Sequence, residues 1–105
     1  MNETAKPDSL ENRIRQLEQR RGALWSAAGG AQFAANLYRE FLEGRRQPSD
    51  LSRALAAFEG VDLMEQYRQR YAAKLAAVTL AKVRAKAIGA EIARLRTAKG
   101  CNSAR

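Results

Sequence analysis

A chain of 105 residues holds one domain at most. It has no His and a single Cys, Cys101, which excludes an intrachain disulfide framework, a Cys/His zinc site and any Ser–His or Cys–His nucleophile pair. Hydrophobic residues make up 46% and charged residues 29%, enough for a modest core, while nineteen Lys/Arg against eleven Asp/Glu leave a net charge of +8 that points to an anionic partner.

Twenty-one alanines, a fifth of the chain, and scarce Val, Ile and Thr predict an all-α protein. The N-terminus lacks the basic flank and apolar run of a secretory signal. The longest uncharged stretch, Gly22 to Tyr38, carries Ser26, Gly29, Gly30, Gln32 and Asn36 and does not suit a bilayer. These features predict a soluble, cytoplasmic protein with no membrane partner. Fourteen Arg against five Lys, with the abundant Ala, resemble the usage of a GC-rich bacterial or phage genome.

Residues 1–7 read as a flexible lead ending at Pro7. Asp8 or Ser9 starts the first helix, with Asp8 and Glu11 at capping-box spacing. It is expected over about 8–28. Leu10, Ile14, Leu17, Arg21 and Leu24 recur at 4-3-4-3 spacing, a heptad seam broken by one Arg. Glu11 and Glu18 flank that seam on one side, Arg13 and Arg20 on the other. Gly29-Gly30 is expected to end the helix, with Trp25 plugging the corner. A second helix is expected over about 31–43, closed by Gly44. Its face combines Phe33, Leu37 and Phe41 with Ala34, Tyr38 and Leu42. After the loop Arg45-Arg46-Gln47-Pro48, a third helix is expected over about 50–59, started by Ser49 or Asp50 and closed by Gly60. Leu51, Ala54, Leu55 and Phe58 lie on one side of it.

Asp62 caps the last helix, with Glu65 at capping-box spacing, and nothing forces it to stop before Lys99. Its heptad positions are Met64, Tyr71, Val78, Ala85 and Ile92, alternating with Tyr67, Lys74, Ala81, Ile88 and Leu95. Gly89 is its one weak point. The whole is expected to be a small four-helix bundle over 8–99 with a flexible tail at 100–105. About 37 helical residues make a rod of about 55 Å, against a diameter of roughly 33 Å for a compact domain of this length. The rod is therefore expected to overhang, leaving part of its seam (Tyr67, Tyr71, Val78, Ile88, Ile92, Leu95) for a partner helix or a dimer mate.

That helix also concentrates the charge. Residues 61–105 hold ten Lys/Arg and three Asp/Glu, and no acid occurs between Gln66 and Ala90. Solvated helices usually place Glu four residues before Lys, so an acid-free basic run suits phosphates. The candidate contacts are Arg68, Arg70, Lys74, Lys82, Arg84, Lys86, Arg94 and Arg96, with Arg45 and Arg46 from the loop; Tyr67 and Tyr71 interleave them and could stack on bases.

Enzyme motifs are absent. The glycines match neither a dinucleotide fingerprint nor a P-loop. Glu40 and Glu43 sit beside Arg39 and Arg45, as a salt-bridged surface does, and no metal or cofactor is expected. The link between the second and third helices is too long for a helix-turn-helix reader, whose recognition helix would offer only Arg53. The expected function is a non-enzymatic basic accessory protein that binds nucleic acid, DNA or RNA, without sequence readout, or a nucleoprotein complex, through its C-terminal helix. The alternative is an adaptor or inhibitor of the phage- or plasmid-encoded kind that docks through its helical surface on a host protein with an acidic face.

Overall fold

The structure, a computed structural model, describes residues 7–103, with side chains described for 9–100. Three helices and no strand are present among the described residues: α1 Pro7–Leu42, α2 Asp50–Glu59 and α3 Leu63–Ser103. The all-α class is as the composition predicts. The count of four is corrected to three, because the expected first and second helices are one. Ending a helix at glycine requires a left-handed residue, and positive φ occurs only at Gly44 and Gly60 among the described glycines. Gly29 and Gly30 stay helical, at a propensity cost of about 1 kcal/mol each. On either side of them the helix is anchored by fully packed Ala28 and Ala35. Of the lead expected at 1–7, Pro7 already belongs to α1, and of the tail expected at 100–105, α3 takes in residues as far as Ser103; residues 1–6, 104 and 105 lie outside the described residues.

The other boundaries follow their caps. Ser49 accepts the Ser52 amide at 3.1 Å, and Gly60 closes α2 with φ 71° and amide bonds to the Ala56 and Ala57 carbonyls. Asp62 accepts the Glu65 amide at 3.2 Å and opens α3. Gly89 neither ends nor interrupts α3.

The chain forms two compact units. The first comprises residues 1–27 and 80–105, the second residues 28–79. In the first, α1 residues 7–27 lie along α3 residues 80–103 as an antiparallel pair. Ile14, Leu17 and Ile92 form its core, with Leu10, Ile88 and Leu95 packed against them. Ala81 and Ala85 are buried as well. The seam read from heptad spacing is thus the real one, but it is filled from within the chain. Ile88, Ile92 and Leu95, expected to be left over for another molecule, are covered by α1.

Two anomalies of the sequence meet here. Arg21 interrupts the α1 seam and Gly89 interrupts the helix-forming pattern of α3. A Cβ added at Gly89 would stand 3.3 Å from Arg21 Nη1, so the missing side chain makes room for the half-buried guanidinium.

The second unit is built on aromatics and alanine. Tyr67 is buried, 4.7 Å from the Phe41 ring and 5.7 Å from Tyr38 between centroids. Val78, Ala28, Ala35 and Ala56 complete its buried set. The expected core face of residues 31–43 fails in part, at Phe33. Phe33 is exposed rather than core-facing, and α2 buries Ala56 while Leu51, Leu55 and Phe58 face solvent. In the first unit Trp25 is 43% exposed and plugs no corner, since there is none. No helix among the described residues is long and apolar enough to cross a membrane.

Candidate nucleic-acid interface

The cations expected to bind a partner fall into two sets. In the first, each already has a carboxylate of the same chain. Arg68 pairs with Glu65 at 2.9 Å, one turn away. Arg94 pairs with Glu91, also on α3. Arg96 pairs with Glu18, and Lys99 with Glu11. The last two join α1 to α3 across one flank of the antiparallel seam, as the position of Glu11 and Glu18 beside the α1 seam suggests. In the loop, Arg45 donates to Glu43 at 2.9 Å. Arg46 donates to Glu40 at 3.0 Å and lies 5.9 Å from the Phe41 ring centroid. The Glu40 and Glu43 carboxylates are therefore a salt-bridged surface, and no group of three His, Cys, Asp or Glu among the described residues could hold a metal ion.

The second set has no carboxylate within 4 Å among the described residues: Arg70, Lys74, Lys82, Arg84 and Lys86. All five are exposed. Lys74 occupies a seam position yet stays in solvent, while the neighbouring Leu75 is half-buried. Arg70 and Lys74 belong to the second unit, Lys82, Arg84 and Lys86 to the first. Tyr71 is half-buried and Tyr67 fully so, which removes Tyr67 as a stacking surface for bases.

The first unit adds cations that the C-terminal helix alone does not disclose. Arg20 of α1 and Arg84 of α3 line the same open groove, whose apolar lining is Ala23, Leu24, Ala87 and Ile88. Neither has an ion-pair or hydrogen-bond partner among the described residues. By helical spacing Arg20 lies on the flank of the α1 seam opposite Glu11 and Glu18. The two flanks are therefore unlike. One is closed by two ion pairs across the helices, and the other places Arg20 and Arg84 on one groove with no carboxylate partner among the described residues. Two guanidiniums on either side of an apolar strip can each donate a pair of parallel N–H bonds to phosphate oxygens. Arg13, on the same flank as Arg20, and exposed Lys82 and Lys86 add charge on the same unit. In all, the first unit holds twelve Lys/Arg and five Asp/Glu, the second seven and six.

Comparison with protein-family models, curated proteins and solved structures finds no match for this chain.

Proposed function

We propose that this chain is a non-enzymatic accessory protein that binds nucleic acid, without sequence readout, through the cationic flank of its first unit. The observation that carries the reading is Arg20 and Arg84 on one groove without an ion-pair partner among the described residues, in a unit with a net charge of +7 out of the chain's +8. Phosphates are the ligand that a row of exposed Arg and Lys neutralises best, and counterion release supplies the driving force. Base recognition is not needed for such binding, and the exposed cations are spaced along helices rather than gathered at one reading point. A protein-binding adaptor is the second reading. Its surface would be the exposed apolar side of α2, because the seam positions of α3 are covered by the chain itself.

The test is fluorescence anisotropy of a labelled mixed-sequence duplex, and of a single strand, titrated with the full chain from 50 to 300 mM salt. The logarithm of affinity is expected to fall linearly with the logarithm of salt, by about 0.9 per phosphate contacted on duplex. Arg20→Gln with Arg84→Gln is expected to lower that slope by about 2. Arg94→Gln with Arg96→Gln, which removes cations already paired, is expected to change it less. No binding at 50 mM salt, or binding indifferent to salt, ends this reading.

A further inference from the structure

We infer that the exposed side of α2 is a homodimer interface, covered by the same helix of a second copy. The stripe consists of Leu51, Ala54, Leu55 and Phe58, at helical spacing 3-1-3. Its three large side chains are 68%, 51% and 89% exposed. That is roughly 400 Å² of apolar surface, as large as the patches that monomers rarely leave open without a use.

Three observations select a second copy as the occupant. The first is energetic. A ten-residue helix is below the length that supports itself in water, and within its own chain α2 buries only Ala56. Its two caps fix its ends but bury little apolar surface. Packing across its exposed side stabilises such a helix, and by mass action a second copy supplies that packing as concentration rises. The second is the pattern. A twofold interface must be self-complementary. Read in either direction, the stripe places large residues at both ends and Ala54 beside Leu55 in the middle. In an antiparallel pairing Leu51 faces the second copy's Phe58, and Ala54 receives the second copy's Leu55. The third is charge. Two molecules of net charge +8 repel, and they approach most easily where positive charge is lowest. On α2 the single cation, Arg53, donates to Gln47 at 2.9 Å, and Asp50 and Glu59 give the helix a negative balance. With its rim, the paired stripe buries about 1,000 Å² in total, the lower end of specific interfaces. A dimer of micromolar affinity is therefore expected.

Sedimentation velocity of the full chain without nucleic acid, at 150 mM salt and from 5 to 500 µM, tests this. The expected result is a monomer–dimer equilibrium within that range. Phe58→Asp and, separately, Leu51→Asp are expected to shift the midpoint upward at least tenfold, with far-UV circular dichroism reporting that α1 and α3 remain helical. As a check that does not depend on weakening the interface, Ala54→Cys in a Cys101→Ser background is expected to give a disulfide-linked dimer on mild oxidation, and Cys101→Ser alone none. A strict monomer at 500 µM overturns the inference, as does a dimer that both aspartate variants leave intact. A monomer that binds a different protein through Phe58 also overturns it and moves the surface to the adaptor reading. Because nucleic acid is absent throughout, failure here leaves the phosphate-binding proposal standing, and the reverse also holds.

Discussion

The same two helices, α1 and α3, build both units, yet the units differ in almost every chemical respect. The first is a two-helix pair with an aliphatic core of Ile14, Leu17 and Ile92 and a net charge of +7. The second carries a net charge of +1, centres on Tyr67 against Phe41 and Tyr38, and leaves Phe33, Leu51, Leu55 and Phe58 in solvent. Continuity of a helix therefore says little about continuity of function along it. A helix supplies a regular frame, and the residues written on each stretch decide whether that stretch offers charge or apolar surface.

The largest expected effect sharpens that contrast. Ile92 is the largest fully buried side chain, 1% exposed. Truncation, Ile92→Ala, removes methyl groups and leaves a cavity in a thin two-helix core, so urea denaturation is expected to show a loss of 2–5 kcal/mol. Phe58→Ala, in the second unit and nearly all in solvent, is expected to move the stability of the monomer by about 0.5 kcal/mol or less. An Ile92→Ala variant that unfolds at wild-type urea would mean that α1 and α3 are not held together at this seam.

That core was readable in advance, and the reason is periodic. Positions four and three apart on a helix share a face whatever the rest of the chain does, so the seams through Ile14 and Ile92 follow from spacing alone. The caps at Ser49, Gly60 and Asp62 are local as well, since each satisfies backbone groups within four residues of itself. What spacing does not contain is register. Nothing local says that Arg20 comes to lie on the groove of Arg84, or that Glu18 reaches Arg96. Arg13 and Arg20 flanking the α1 seam opposite Glu11 and Glu18 were the available signal, and it becomes informative only once the pairing is antiparallel. Likewise, the amphipathic stripe of α2 is plain in the sequence, but periodicity marks a face without saying whether the chain itself covers it.

Gly29-Gly30 taught the opposite lesson, because there a local rule was overridden. Two glycines favour a helix end, but only as C-terminal caps with positive φ, and helix packing on both sides leaves them in helical geometry. A Cβ at either position would meet nothing within 4 Å. Gly29→Ala and Gly30→Ala are therefore each expected to stabilise by about 0.5–1 kcal/mol, from higher helix propensity and a less flexible unfolded chain. Thermal melting of the double variant is expected to rise by several degrees. A fall in melting temperature would show that Gly29 and Gly30 do not hold helical geometry in solution.

The smallest effect concerns the closed flank of the first unit. Glu11 accepts a hydrogen bond from Lys99, and that bond, then the Lys99 charge, holds its carboxyl below the ordinary value of 4.5 despite a weak opposing effect of burial. A carboxyl whose pKa is lower folded than unfolded binds fewer protons in the folded state. Its contribution to stability is therefore complete above about pH 4.5 and fades as pH falls through the lower, folded-state value. Glu11→Gln is expected to melt slightly below wild type at pH 7, and the gap is expected to close as pH drops below 4.5. The pair is exposed and screened by salt, so the gap is also expected to narrow at 0.5 M NaCl. A gap that persists undiminished at pH 3 would mean that the Glu11 side chain contributes by packing. The asymmetry between the two flanks, one closed by ion pairs and one left open at Arg20 and Arg84, would then rest on Glu18 and Arg96 alone.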